Sequence, residues 1–191
     1  MSKIIAQVKP IDGRNLSRIL EIEQSSFSYP WTLEDIVRMY RSQEMSGVSL
    51  EVTDKQPVFS LCSKTRSKCE IVGFLFFYRR GEDTIEIWNM AVDPKFRRQG
   101  YGTILIEHIK RKLTLGSRRK KIHVALHENN LRAQLFLRSC GFLCEEIVGF
   151  ERNNSDSKSS VSADVYMMMY REPFIPRNRL QFGGFVDASN I

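Results

Sequence analysis

The pattern of apolar and polar positions predicts strands and helices that alternate along one folded unit. Apolar residues recur at helical spacing after Asp12 and again after Thr32, and both residues are suitable helix N-caps. Asp35 completes a variant capping box with Thr32. Alternating or continuous apolar runs elsewhere predict strands. The predicted helices are 12–24, 32–41, 100–115 and 130–140, and the predicted strands are 3–9, 47–53, 57–63, 70–79, 84–92, 121–127, 142–151 and 163–170.

Two segments lack this pattern. The Ser- and Asn-rich segment 152–162 has too little apolar surface to order itself, which predicts a mobile loop. Prolines and glycines from Pro173 onward predict a tail without regular structure. A length of 191 residues suits one domain, which we place at 1–171 with a tail at 172–191. The element order predicts an α/β (α+β) fold, a mixed sheet with helices on both faces.

A candidate anion site lies where strand 84–92 leads into the third predicted helix. The segment Arg97-Arg98-Gln99-Gly100-Tyr101-Gly102 combines a helix start, two glycines and two arginines. Unpaired N–H groups at a helix N-terminus attract phosphate, and glycine lets a ligand approach the backbone. The spacing matches neither a Walker loop nor a dinucleotide fingerprint. The alternative interpretation is an Arg-rich turn that only caps a helix.

Three motifs carry a resemblance to a known family. Arg-x-x-Gly-x-Gly after Val92-Asp93-Pro94 resembles the acetyl-CoA loop of the GNAT N-acetyltransferase superfamily. Residues 129–142, an Asn, then Ala, then a helix ending in Gly141-Phe142, resemble its second cofactor motif. Residues 23–31, Glu-Gln followed by Tyr-Pro-Trp, resemble the bacterial ribosomal-protein alanine N-acetyltransferases in particular. The chain is identified as a member of the superfamily, with the motifs in order over roughly 20–142.

The resemblance implies a fold and a co-substrate. The sheet would be mostly antiparallel, with six to seven strands, and its central strands 84–92 and 121–127 would splay apart. Acetyl-CoA would enter that gap and pair with the first of these strands, with no metal required. The implied cofactor contacts are Met90, Ala91, Val92, Arg97, Arg98, Gln99, Gly100, Tyr101, Gly102, Thr103 and Asn130.

The catalytic positions depart from the nearest branch. Counted back from Gly141-Phe142, its general base and general acid fall on Ala125 and Leu137, and neither side chain can move a proton. Elsewhere in the superfamily the base is a Glu on the first central strand, which here is Glu86. Period two would place Glu86, Trp88, Met90 and Val92 on one face of that strand. The alternative for Glu86 is a solvent-facing glutamate.

Other candidates are a proton relay and an acceptor wall. His127 shares a face with His123 and Ala125 and could relay a proton through water, although a surface histidine is the alternative. By resemblance, Phe27, Tyr29, Pro30 and Trp31 would line the acceptor groove, or else form a hydrophobic staple. The family's usual Tyr pair is replaced by Gly149-Phe150-Glu151-Arg152, so Glu151 offers a carboxylate to an acceptor ammonium.

Composition limits the remaining function classes. The formal charge is +7, yet no aromatic-interleaved RNA motif accompanies the basic residues, so we expect no direct nucleic-acid binding. The basic residues at 110–112 and 118–121 indicate a solvated helix end, and a ribosome- or RNA-facing surface is the weaker alternative. No apolar run is long enough to cross a bilayer, the N-terminus does not resemble a signal peptide, and the four cysteines are scattered. We therefore expect a cytoplasmic protein with reduced thiols and no membrane partner.

Two functional hypotheses remain. The first is an acetyl-CoA-dependent N-acetyltransferase acting on a protein N-terminal α-amine, such as that of a ribosomal protein, or alternatively on a small amine or a lysine side chain. The second is a catalytically impaired acetyl-CoA-binding module. Ala125 and Leu137 support it, because neither can replace the base or the acid at these positions. The phosphate-binding loop is required by both hypotheses and does not separate them.

Overall fold

The computed structural model describes residues 3–55, 69–113, 118–152 and 161–171. The predicted strand 57–63, most of the predicted loop 152–162 and the predicted tail 172–191 lie outside the described residues. None of the helices within the described ranges is long and apolar enough to span a membrane.

The predicted elements that fall within the described residues form with small shifts at their ends. Asp12 caps a short 3-10 turn at Gly13–Asn15, and the helix proper follows it. Helix α2 begins at the predicted Thr32–Asp35 capping box. The helices are α1 (Leu16–Ser26), α2 (Leu33–Arg41), α3 (Tyr101–Lys110) and α4 (Leu131–Ser139). The strands are β1 (Lys3–Pro10), β2 (Met45–Lys55), β3 (Cys69–Arg80), β4 (Thr84–Val92), β5 (Lys121–His127), β6 (Leu143–Arg152) and β7 (Val161–Arg171).

The strands form one mixed sheet of seven, in the order β1-β2-β3-β4-β5-β7-β6. Strands β4 and β5 pair in parallel, and the other neighbouring strands pair antiparallel. Helices α3 and α4 pack on one face around Leu105, Ile106 and Leu137. Helices α1 and α2 pack on the other face around Ile22 and Ile36. The predicted sheet with helices on both faces is confirmed.

The central strands part halfway along their length. Pairing between β4 and β5 runs from Thr84 opposite Lys121 to Ile87 opposite Val124 and stops there. Residues 89–92 of β4 remain paired with β3 on their other side. The gap between β4 and β5 therefore opens after Ile87, as the resemblance implied.

A β-bulge at Trp88 changes which side chains share a face. Phe77 pairs with Ile87, but Phe76 pairs with Asn89, so Trp88 is an extra residue in β4. Ile87 consequently packs in the α3-side core together with Met90 and Val92. Glu86 therefore faces the α1–α2 side of the sheet. The prediction that Glu86, Met90 and Val92 lie on one face is wrong, because simple alternation does not survive the inserted residue.

Candidate active site

The loop between β4 and α3 presents an open helix N-terminus. Gly100 adopts a left-handed conformation with φ of 83°, and no side chain caps α3. The first hydrogen bond of the helix runs from the Ile104 N–H to the Gly100 carbonyl, 3.1 Å away. The N–H groups of Tyr101, Gly102 and Thr103 precede that bond and lack intrahelical partners. This terminus suits the pyrophosphate of acetyl-CoA.

The two glycines of the loop have different tasks. A Cβ added at Gly100 would meet nothing within 4 Å, so its requirement is the left-handed backbone and the open space above it. A Cβ added at Gly102 would lie 3.1 Å from the Phe136 ring of α4. Gly102 therefore permits close packing of α3 on α4, which the sequence pattern alone did not distinguish from a ligand contact.

The Arg97 guanidinium is already engaged within the protein. Its Nε donates to the Val92 carbonyl at 2.9 Å, and its Nη2 donates to Ser26 Oγ at 3.0 Å. The side chain thus fastens the loop to the ends of β4 and α1. The next two residues of the loop, Arg98 and Gln99, are exposed. The backbone of Arg98 is left-handed, with φ of 62°.

Asp93 anchors the start of the same loop. Its carboxylate accepts from the Lys95 N–H at 2.9 Å and pairs with Arg18 of α1. Burial acts to raise the pKa of Asp93, but the Lys95 N–H and the Arg18 charge outweigh it, so the pKa lies below its ordinary value. Ionised Asp93 therefore holds the loop on α1.

The other implied cofactor residues line the gap or its far side. Met90 and Val92 are half-buried against the α3-side core, and Ala91 is buried on the other face. Asn130 is exposed at the start of α4, where its Oδ1 accepts from the Ala133 N–H at 3.3 Å. The Asn130 side chain thus serves as the helix N-cap.

Glu86 is a buried carboxylate at the point where β4 and β5 part. Its side chain belongs to a residue only 8% exposed, so the solvent-facing alternative is excluded. Arg80 Nη1 lies 3.1 Å from Glu86 Oε2. Burial, followed by the neighbouring Glu86 carboxylate, raises the pKa of Tyr78. The carboxylate is therefore held by Arg80 of β3 and lies near Tyr78 of the same strand.

The β5 positions divide into inert and polar ones. Ala125 is exposed, and Leu137 of α4 is only 4% exposed and packs within the core, so neither contributes a proton-transfer group. His127 is exposed at the end of β5, and its Nδ1 accepts from the Asn129 N–H at 3.3 Å. His123 is half-buried directly beside Glu86 in the β4–β5 register.

Glu23, a residue to which the sequence assigned no role, holds the predicted acceptor wall in place through Trp31. Glu23, 1% exposed, accepts from the Trp31 N–H and from Asn89 Nδ2, each at 3.0 Å. Trp31 packs on Phe76 with ring centroids 5.9 Å apart. Burial raises the pKa of Glu23, partly offset by these two bonds. Glu23 belongs to the motif at residues 23–31. Its contacts with Trp31 and with Asn89 at the bulge show that it fixes the turn after α1 to β4.

The remaining acceptor candidates differ in exposure. Phe27 and Trp31 are half-buried against the α1–α2 core, whereas Tyr29 is 95% exposed and Pro30 is exposed. The backbone of Glu151 pairs with Ser162 of β7. The Glu151 side chain lies outside the described part of the structure.

Comparison with known proteins establishes the class. The sequence model of the acetyltransferase (GNAT) family matches residues 16–142, about two-thirds of the chain. The chain belongs to this family and is an acetyl-CoA-dependent N-acetyltransferase by class, as its motifs predicted. No curated protein sequence matches the chain at a significant level.

Solved structures share the fold. The ribosomal-protein-S18-alanine N-acetyltransferase from Escherichia coli is similar with a TM-score of 0.62 and 18% identity, over 91% of this chain and 98% of that one. NAA60 from Arabidopsis thaliana in complex with acetyl-CoA gives 0.65 and 16%, over 87% and 98%. Ard1 from Thermoplasma volcanium gives 0.61 and 18%, over 88% and 99%. At these identities the likeness concerns the fold alone.

Proposed function

We propose that the chain transfers the acetyl group of acetyl-CoA to a primary amine by direct attack, with Glu86 as the general base. A protein N-terminal α-amine is the first acceptor we assign. The observation that carries this proposal is the position of Glu86. It is a buried carboxylate on the α1–α2 face, one residue before Ile87, the last residue of β4 that pairs with β5.

Acetyl transfer to an amine requires a general base, for which we propose Glu86, and an acceptor for a second proton. An acceptor ammonium gives one proton to Glu86, and the neutral nitrogen attacks the thioester carbon. The new C–N bond replaces the C–S bond, the CoA thiolate leaves, and the nitrogen loses a second proton as the amide forms. We assign His127 to relay that proton through water, since it lies exposed at the open end of β5.

The α3 terminus and the adjoining residues are proposed to hold the co-substrate. The N–H groups of Tyr101, Gly102 and Thr103 would bind the pyrophosphate, and Arg98 and Gln99 would approach it from the loop. The unpaired edge of β4 at Met90–Val92 would receive the pantetheine arm as an added strand, near Asn130. Acetyl-CoA supplies the activated acyl group in this arrangement.

Three features support a peptide N-terminus as acceptor. The motif at 23–31 resembles the ribosomal-protein alanine branch, and its aromatic residues Phe27 and Trp31 lie on the α1–α2 face, as does Glu86. Tyr29 and Pro30 extend from the same turn into solvent, within reach of a protein substrate. Glu151 would pair with the acceptor ammonium, and this pairing suits a peptide N-terminus and a small amine equally. The replaced Tyr pair at 149–152 favours a small amine or a lysine side chain as the second candidate.

The test is acetyl-CoA consumption over a panel of N-terminal peptides, N-blocked lysine peptides and polyamines. We expect Glu86→Gln to lower turnover about 10²-fold, the usual size of a general-base effect. Acetyl-CoA affinity measured by calorimetry should stay the same. The matched control is Glu82→Gln, because Glu82 is an exposed glutamate in the turn just before β4 and should leave turnover unchanged.

The possible outcomes distinguish the proposed base, the proposed acceptor and the binding-module hypothesis. Turnover that survives Glu86→Gln removes Glu86 from the mechanism. Acetylation of lysine peptides or polyamines alone replaces the acceptor and keeps the base. Acetyl-CoA binding without turnover on any acceptor favours the impaired binding module, consistent with Ala125 and Leu137.

We also assign the chain to a reducing compartment such as the cytoplasm. The described cysteines, Cys69, Cys140 and Cys144, are free thiols, as is typical of cytoplasmic proteins. Burial is the main cause that raises the pKa of the Cys140 thiol, which makes it a weak nucleophile and a packing residue.

A further inference from the structure

His123 carries an unusual feature beside the proposed base. Within the described ranges, its Nε2 is the buried side-chain nitrogen or oxygen that has no hydrogen-bond partner. An unpaired buried polar atom costs free energy, and most buried polar atoms in proteins are therefore paired. His123 Nε2 is therefore free to accept a hydrogen bond or a proton during the reaction.

The register places His123 next to Glu86. The two residues are direct partners in the parallel pairing of β4 and β5, where neighbouring strands lie about 4.8 Å apart. Ile122 and Val124, on either side of His123, belong to the α3-side core. His123 therefore faces the α1–α2 side, as Glu86 does.

The charges around His123 favour a neutral ring at rest. Burial and the charge of Lys121 lower the pKa of His123, while Glu86 and Glu145 act to raise it. The groups that face it from the surrounding strands are Glu86 and Arg80, Lys121 on its own strand, and Glu145, which is paired with Arg171. A neutral imidazole protonated on Nδ1 has a free lone pair on Nε2.

We propose that His123 is the proton acceptor behind Glu86 in the transfer reaction, a role that rests on the proposed function of Glu86. The acceptor ammonium gives its proton to the Glu86 carboxylate. Protonated Glu86 no longer holds Arg80 as an ion pair; it turns towards His123, and its O–H bond breaks as the proton moves to Nε2, which has no hydrogen-bond partner among the described residues of the resting protein. Glu86 returns to its carboxylate form while the amine attacks, and the imidazolium releases one proton to water before the next turnover. His123 is thus a positioning and relay residue that acts through Glu86.

A double-mutant cycle and an NMR titration test the relay. We expect His123→Gln to lower kcat about tenfold with the KM of the acceptor unchanged, and to flatten the acidic limb of the kcat/KM profile. The double variant Glu86→Gln/His123→Gln should lose no more than Glu86→Gln alone, because the two residues act in one step. His108→Gln is the matched control, since His108 is also half-buried but lies on α3.

The titration needs neither turnover nor a His123 variant. The chain contains three histidines, so His108→Gln and His127→Gln assign their ring resonances by elimination. Glu86→Gln should lower the measured pKa of His123 because it removes a carboxylate that raises it. Additive losses in the cycle, or a His123 titration indifferent to Glu86→Gln, would overturn the relay. A cycle in which Glu86→Gln itself has no effect would instead overturn the proposed function.

Discussion

Two buried glutamates show how the same residue type takes two tasks in this chain. Glu23 is buried and accepts hydrogen bonds from the Trp31 N–H and from Asn89 Nδ2, which are fixed in position by the fold. Glu86 lies beside a gap in the sheet and is held by Arg80. A carboxylate enclosed by fixed donors stabilises a turn, whereas a carboxylate at an opening can exchange a proton with a ligand.

The pH dependence of stability distinguishes the structural glutamate. Burial raises the folded-state pKa of Glu23 above its ordinary value of 4.5. The folded state therefore binds the proton more tightly than the unfolded state, and the stability contributed by this group falls as pH rises through that window. Glu23→Gln carries no such charge, so its stability relative to wild type should rise from pH 4.5 to pH 7 in denaturant titrations.

The control for this prediction is Glu44→Gln, which makes the same exchange at an exposed glutamate just after α2. The neutral side chain also presents an N–H₂ group to donors, which costs about 1–3 kcal/mol at all pH values. A relative stability of Glu23→Gln that falls with rising pH would contradict the raised pKa of Glu23.

At the scale of elements, the sequence predicted most where caps and periodicity agree. Thr32 and Asp35 mark the start of α2 because both partners of the capping box are local. The bulge at Trp88 has no comparable signal: no Gly or Pro marks it, and it arises from pairing with β3. The prediction for the face of Glu86 was therefore wrong, although strand β4 itself was predicted at its observed bounds.

The loop that starts α3 can be tested with matched glycines. Gly100→Val places a β-branched side chain in a left-handed conformation and fills the open space at the helix N-terminus, so we expect acetyl-CoA binding to be abolished in calorimetry. Gly81→Val imposes similar strain, with φ of 62° and nothing within 4 Å, in the turn between β3 and β4. Binding lost in both variants, or retained by Gly100→Val, would refute the loop as the phosphate site.

At the scale of the whole molecule, one helix joins the acceptor wall to the cofactor loop. Three side chains of α1 contact the segment from the bulge to Arg97: Glu23 bonds to Asn89, Arg18 pairs with Asp93, and Ser26 accepts from Arg97. These contacts link residues 66 to 75 positions apart in sequence. Such long-range contacts are the part of the site that sequence motifs could not predict, because each motif reports only its own segment.

The coupling between the two halves of the site can be measured at Ser26, which touches Arg97 and lies outside the proposed cofactor contacts. If the hydrogen bond between Arg97 and Ser26 positions the loop, Ser26→Ala should weaken acetyl-CoA binding about threefold to tenfold, which corresponds to the net free energy of one ordinary hydrogen bond. Ser25→Ala is the matched control, because Ser25 Oγ bonds to the Ile22 carbonyl of its own helix at 2.9 Å. Calorimetry gives the affinities, and thermal unfolding separates them from stability. Equal affinities in the two variants would mean that Arg97 holds the loop through the Val92 carbonyl alone, and that α1 stabilises the acceptor wall without setting the geometry of the cofactor site.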